Sequence, residues 1–297
     1  MNGGVALLLA AALACAPASA ARKPDKATQL LIGDLRAHIV ELASDAYEGR
    51  EPGTDGESRT LRYLGRQWFD MGLESGTNDP AHAWFAPVTL IGREPDRSAA
   101  AFTRKGRRLN VPNSTTLILT SGKRGLIENT PVLFVGKGDR VPPRAELAGR
   151  VALLLDDGRA GSERQSALLQ GGASAVLTVL DGERSLASVA EHRRRLAYGL
   201  VDDEPGDEID GFITAGGLDR ALAGSGQSVK VLQSIAADPA FVPKLLDLAV
   251  TLEATTRETR INTHNMIGKL PGKRPESGSV LLMAHWDHFG RCVPPPA

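Results

Sequence analysis

The residues of this chain that could do chemistry at a defined spacing are His285 and Asp287, which follow the apolar run 280–284. If the backbone is extended there, residues two apart point to the same side, so the carboxylate would lie beside the imidazole. A carboxylate in that position accepts a hydrogen bond from one ring nitrogen and orients the other toward a metal ion. The spacing alone also fits a polar loop, because a His and an Asp two residues apart recur by chance.

The elements that must position this pair begin with two helices near the N-terminus. Apolar residues at helical spacing predict a helix over 27–43, and a Gly-, Pro- and Asp-rich stretch after it predicts a loop. Thr54 and Glu57 have the capping-box form, which predicts a second helix over about 57–71. Gly72 is then the expected C-terminal stop.

The middle of the chain has a different character, with short β-type runs separated by Gly, Pro and charged turns. Four such strands are predicted within 84–156. The stretch 162–182 predicts a helix followed by a strand over 175–180, and a weaker strand at 211–215 leads into a short helix.

The last part of the chain leads back to the His and Asp. Polar and apolar residues alternate over 250–270, which predicts an exposed strand or hairpin. After a turn, the run Val-Leu-Leu-Met-Ala at 280–284 predicts a buried strand, with His285 at its carboxyl end. Functional groups of open α/β sheets gather at such ends, which favours a functional role for the pair.

Two short motifs follow one another in residues 265–290. An Asn-x-hydrophobic-Gly-x-hydrophobic-Pro-Gly stretch precedes a hydrophobic run that ends in Ala-His-x-Asp-His-x-Gly. This arrangement resembles the opening of the catalytic sheet in co-catalytic zinc aminopeptidases, the bacterial leucyl aminopeptidase-like enzymes of peptidase family M-twenty-eight. The matching residues are Asn265, Ile267, Gly268, Leu270, Pro271, Gly272, Ala284, His285, Asp287, His288 and Gly290.

Two further stretches agree with this resemblance. The run 42–56 looks like the family's Leu-x-Ser-Asp-x-x-Glu-Gly-Arg-x-x-Gly-Thr-x-Gly loop, and the stretches 146–158 and 167–180 look like a protease-associated insert domain. The resemblance implies an α/β fold, in which an incomplete aminopeptidase-type α/β catalytic domain is interrupted by a β-rich α+β insert.

The domain boundaries expected from this resemblance divide the chain into four parts. They are a signal peptide over 1–20, N-terminal helices of the catalytic domain over 21–90, the insert over 91–237, and the start of the zinc peptidase domain over 238–297.

The resemblance assigns roles to two residues. His285 would be a ligand of one zinc ion, and Asp287 would be the catalytic-site carboxylate that holds His285. Intact relatives are expected to bind two zinc ions and to hydrolyse the N-terminal bond of a peptide or protein substrate with a metal-activated water. Substrate preference and the choice between amino- and carboxypeptidase action stay open.

The family's other metal ligands and its general base follow later in sequence, and they cannot be placed here. Only ten residues follow Asp287, and they include no acid. A catalytic zinc typically takes three protein ligands. We therefore expect a fragment that lacks activity on its own. The alternative is a non-catalytic peptide- or protein-binding module built on the insert domain.

The N-terminus predicts export. Val5 to Ala14 is apolar, and Ala18-Ser19-Ala20 offers a cleavage site, as in a secretory signal peptide. The expected location is periplasmic or secreted, with no stable membrane span after signal removal; a lipoprotein acylated at Cys15 is the alternative. Removal of the signal would leave Cys292 as the single cysteine.

Composition excludes some other classes. Lys plus Arg and Asp plus Glu both number 35, so the formal net charge is zero and nucleic acid is not an expected partner. A serine hydrolase is also not expected, because the Gly-Ser-Gly-Gln-Ser run at 224–228 does not lie in a strand-to-helix turn.

Overall fold

The computed structural model describes residues 25–158, 162–180, 182, 184–193, 197–203 and 206–291. The predicted signal peptide, Cys15 and Cys292 lie outside these ranges. The described residues divide into two compact units: those within 67–279 form the larger one, and those within 1–66 and 280–297 form the smaller one. The predicted domain boundaries at residues 90 and 238 differ from these limits and stay predictions.

The elements lie along the chain as follows. The helices are α1 Lys26–Leu42, α2 Asp55–Asp70, α3 Arg144–Leu147, α4 Glu163–Gln170, α5 Leu186–Arg193, α6 Ala215–Leu222 and α7 Val229–Ala236. The strands are β1 Glu74–Ser75, β2 Phe85–Arg104, β3 Arg107–Arg108, β4 Thr116–Thr120, β5 Arg124–Phe134, β6 Val151–Leu155, β7 Ala175–Leu180, β8 Ala197–Leu200, β9 Ile209–Thr214, β10 Lys244–Met266 and β11 Gly268–Lys269.

The larger unit is built on a mixed nine-stranded sheet with the order β3-β2-β10-β5-β6-β7-β9-β4, in which β8 pairs with β2. The neighbours β5, β6, β7 and β9 run parallel. Every residue of β6 and β7 is buried, as expected for parallel strands covered on both faces. This arrangement of sheet and helices confirms the predicted α/β class.

Alternation along β6 explains how the sheet fills two layers of core. Val151, Leu153 and Leu155 pack with residues of α6 and α7, whereas Ala152 and Leu154 pack with residues of α3 and α4. Successive strand residues point to opposite faces, so one apolar run supplies both layers.

The predicted strand over 250–270 lies mostly in one long strand, β10, and not in a hairpin. Val250, Leu252 and Ala254 are buried, so its first part is not exposed as predicted. Its partner is distant in sequence: β10 pairs antiparallel with β2 from Ala249↔Thr103 to Met266↔Phe85. The register shifts between Thr255 and Thr256, which marks an irregularity such as a β-bulge. Only the first half of β10 contributes alternate residues to the core.

The start and end of α2 follow the sequence prediction closely. The helix begins at Asp55, directly after Thr54. The Glu57 carboxylate accepts from the Gly53 amide, and Thr54 Oγ1 donates to the Glu51 carbonyl at 2.6 Å, so both residues tie the helix to the preceding turn. Gly72 has φ +76°, the left-handed conformation expected of a residue that ends a helix.

Helix α1 of the smaller unit has the predicted position, but its apolar residues are exposed. None of its residues is buried. The exposed apolar side chains are Leu30, Leu31, Ile32, Leu35, Ile39 and Val40.

The predicted buried strand at 280–284 is wrong. Residues 280–284 have no regular secondary structure, and the side chains of Val280 to Met283 are 77–90% exposed. An apolar run becomes a strand only when neighbouring strands complete its hydrogen bonds and cover its faces. In the described ranges, no strand pairs with this run.

None of the helices in the described ranges combines the length and hydropathy that a bilayer crossing requires.

Candidate functional site

The predicted pair of His285 and Asp287 is formed in the smaller unit. His285 Nδ1 lies 3.1 Å from Asp287 Oδ1, as expected for residues two apart in an extended segment. The imidazole is 94% exposed and the carboxylate 40% exposed. The exposed ring leaves Nε2 accessible, while Nδ1 faces the carboxylate. Their roles as zinc ligand and orienting acid stay predictions.

A strained loop lies against the segment that carries this pair. The 3₁₀ helix Asp45–Arg50 ends in three consecutive residues with positive φ: Glu48 at +50°, Gly49 at +70° and Arg50 at +53°. Non-glycine residues in this region cost on the order of 1–3 kcal/mol each and persist only where surrounding contacts hold them.

Backbone hydrogen bonds join this loop to the residues after His285. The His288 amide donates to the Arg50 carbonyl, and the Gly290 amide donates to the Gly49 carbonyl, both at 3.0 Å. Arg50 Nε also donates to the Trp286 carbonyl at 3.0 Å, between the two members of the pair. Arg50 therefore holds the backbone that carries His285, and the two motifs that are distant in sequence meet here.

Glycine at position 49 is required by this close approach. A Cβ added to Gly49 would lie 2.0 Å from the Gly290 carbonyl oxygen, far inside a contact distance, and φ +70° would add strain.

Glu48 links the loop electrostatically to its surroundings. Its Oε1 lies 2.8 Å from Arg59 Nη1 and 2.8 Å from Arg291 Nη2. The hydrogen bond from Arg59 is the main cause that lowers the pKa of Glu48, so the carboxylate is ionised at neutral pH.

An aromatic cluster holds the loop from the other side. Tyr47 is buried, donates to Glu41 Oε1 at 2.8 Å, and packs edge-on against Tyr63 with ring centroids 6.1 Å apart. Burial, assisted by the Glu41 bond, raises the pKa of Tyr47 to about 12. His38 Nδ1 lies 2.6 Å from the Tyr63 hydroxyl. These contacts tie α1, the loop and α2 together.

The sequence did not identify Tyr47 or Arg50 as site residues. Both lie in the Tyr-Glu-Gly-Arg run at 47–50, and the glycine there was the available indication that this backbone approaches another segment closely.

The residues that the structure describes do not fit a complete zinc site. Within them, no group of three or more His, Cys, Asp or Glu side chains is placed to hold a metal. His285 offers one imidazole with Asp287 beside its Nδ1, and Glu48 of the loop 45–50 is held by two arginines. A catalytic zinc takes three protein ligands and leaves one position for water. His285 would supply one of those three ligands.

Comparisons with known proteins give distant structural neighbours only. No protein-family model matches the chain, and no curated protein matches it in sequence. An aminopeptidase from Aneurinibacillus sp. strain AM-1 is similar in structure with a TM-score of 0.36 and 15% identity, covering 81% of this chain and 48% of that one. BSAP, a zinc aminopeptidase from Bacillus subtilis, gives a TM-score of 0.27 and 17% identity, covering 80% and 47%.

The chain spans about half the length of these solved structures. TM-scores of this size do not establish a common fold, so the function proposed below rests on the residues of this chain.

Proposed function

We propose that this chain is part of an exported zinc-dependent exopeptidase of the aminopeptidase type, which hydrolyses N-terminal peptide bonds. His285 is its contribution to a zinc site, and Asp287 is the carboxylate that orients the imidazole. The observation that carries the proposal is the 3.1 Å contact between the two side chains, with an exposed ring and the connecting backbone held by Arg50.

The geometry supports this role because it pre-orients one imidazole. A carboxylate that accepts from Nδ1–H fixes the tautomer that leaves the Nε2 lone pair free for a metal. The bond from Arg50 to the Trp286 carbonyl fixes the backbone between the two residues. An isolated polar loop would need no such arrangement.

The zinc-peptidase resemblance of the motifs at 42–56 and 265–290 gains support from their contact. The loop Glu48–Arg50 and the segment His288–Gly290 come from the two motifs and share two backbone hydrogen bonds. Motifs that build one site are expected to meet in this way.

We expect no hydrolysis by the purified chain itself, because one imidazole cannot hold zinc tightly. The assay measures release of the chromophore from a leucine-type substrate, with and without added zinc. Turnover above a metal-free control would contradict this expectation. The variant His285→Ala is the matched control for any zinc-dependent signal.

The function itself is tested by the coding sequence that follows the codon of Ala297. We expect an open frame with an Asp-x-x-Ser-Gly type stretch and a Glu-Glu pair, which would supply the remaining ligands and the general base. A downstream sequence without these residues would favour the alternative, a non-catalytic peptide- or protein-binding module.

A further inference from the structure

A cavity of about 600 Å³ lies in the larger unit. Helices α4 and α5 and strand β9 supply Gln165, Arg193 and Asp210 to its wall, and Glu163 and Glu208 lie at the same cavity. A smaller cavity of about 220 Å³ shares Gln165 and Arg193 with it. The volume of the larger cavity is typical of a small-molecule site.

Two buried oxygen atoms in this wall have no hydrogen-bond partner among the described residues: Gln165 Oε1 and Asp210 Oδ1. Gln165 is only 3% exposed, and its Nε2 donates to Thr178 Oγ1 at 3.3 Å. Asp210 Oδ2 accepts from Arg193 Nη2 at 2.9 Å. Each side chain is thus half satisfied, and a buried acceptor without a donor is costly.

The charges of the cavity favour a cation. Three carboxylates line it: Glu163, Glu208 and Asp210. The two arginines of the wall are already paired, Arg193 with Asp210 and Arg93 with Glu258, both at 2.9 Å. Arg193 and Asp210 balance one another, and Glu258 balances Arg93. Glu163 and Glu208 are therefore the excess negative charge of the wall, beside the two acceptor oxygens.

We propose that this cavity binds an organic cation that donates N–H bonds, an alkylammonium or guanidinium group such as the side chain of a lysine or arginine residue. The cation donates to Asp210 Oδ1 and Gln165 Oε1. Leu119 and Leu169 also line the cavity and give its aliphatic stem an apolar surface. This proposal does not depend on the peptidase function, because every residue involved lies in the larger unit.

The test is an NMR titration of the full chain, isotopically labelled, with Nα-acetyl-lysine amide and Nα-acetyl-arginine amide. We expect saturable shifts of the Gln165 side-chain amide and the Asp210 backbone amide, with a dissociation constant on the order of 1 mM for ligands this small. Nα-acetyl-norleucine amide has a similar stem without a charge, and it should cause no saturable shift of these signals.

Two variants separate the cavity from general charge effects. Asp210→Asn keeps the shape and removes the charge, and it should weaken binding of both cations about tenfold. Asp247→Asn removes an exposed carboxylate elsewhere in the same unit and should leave binding unchanged. Circular dichroism confirms that each variant is folded.

Three results would overturn the proposal. They are shifts that do not saturate, an equal response to the norleucine compound, and equal weakening by Asp247→Asn. Any of them would leave ordered water as the partner of the two oxygens. The signals of the native chain suffice for the first two, so the test stands even if Asp210→Asn fails to fold.

Discussion

The replacement Asp210→Asn should change how the stability of the larger unit depends on pH. The Asp210 side chain is 17% exposed, and its Oδ1 has no partner among the described residues. Burial raises the pKa of this carboxyl to about 6, although the neighbouring charge of Arg193 opposes the increase. The ordinary value is 3.8. Asparagine has a similar shape but does not titrate.

The sign and size of the change in folding stability follow from these two pKa values. Below pH 3.8, Asp210 is protonated in both the folded and the unfolded chain. As the pH rises toward about 6, the unfolded chain releases this proton while the folded chain keeps it, so the folded state loses stability. The difference of about two pH units corresponds to about 3 kcal/mol at 1.36 kcal/mol per unit. Above about pH 6 the carboxyl is ionised in both states, and the folded state has lost all of this contribution to its stability.

The measurement is urea unfolding of both proteins between pH 3.5 and pH 7.5. Hydrogen exchange of the amides in the buried strand β6 then reports the stability of the larger unit. We expect the variant to gain stability relative to the native chain as the pH rises, by up to about 3 kcal/mol. The two proteins share all other carboxylates, so the contributions of those groups to the pH dependence cancel in the difference. A free-energy difference that is constant or falls with pH would refute the reasoning, and Asp247→Asn is the control that should show no trend.

Three other changes test the packing and the loop. Arg184 Nε and Nη2 donate to the buried Asp156 carboxylate at 2.8 and 2.5 Å. Arg184→Met leaves this buried carboxylate without its partner, so it should lower the free energy of unfolding, measured in urea, by about 3 kcal/mol. A loss below about 1 kcal/mol would contradict a strong ion pair. Gly49→Ala should speed hydrogen exchange of the Gly290 amide, because the added Cβ meets its carbonyl; unchanged exchange would contradict the close approach. Leu177→Ala in the core should cost about 2–5 kcal/mol by calorimetry, and a neutral effect would contradict its burial.

Local sequence patterns were sufficient for most elements of the fold. The helix at 27–43, the helix that follows Thr54, and the helix and strand of 162–182 lie where apolar spacing and stop residues predict them. The α/β class follows from such elements, because buried strands that alternate with helices form parallel sheets. These features depend on neighbours in sequence, which a single chain displays.

Features that depend on distant partners were not predictable from the same patterns. The stretch 250–270 could be a strand or a hairpin until its partner β2 was known, because alternation describes one face and not the neighbour that pairs with it. The run 280–284 has the composition of a buried strand, yet no described strand pairs with it. Composition records a tendency, while pairing decides the structure.

The candidate site also contains one contact that local spacing predicts and one that depends on a distant partner. The contact between His285 and Asp287 was predictable, because it needs only an extended backbone over three residues. The part played by Arg50 was not, because its contact with Trp286 joins residues 236 positions apart. Spacing cannot reveal a partner at that distance.

Zinc titration of the purified chain, followed by NMR of the histidine rings, tests the central claim most directly. If His285 and Asp287 are an incomplete share of a zinc site, the His285 ring should respond weakly, on the order of 1 mM. Asp287→Asn should reduce that response, whereas Asp79→Asn, which alters the exposed pair of His82 and Asp79, should not. Tight uptake of one zinc per chain, or zinc binding that leaves the His285 ring unaffected, would contradict the account.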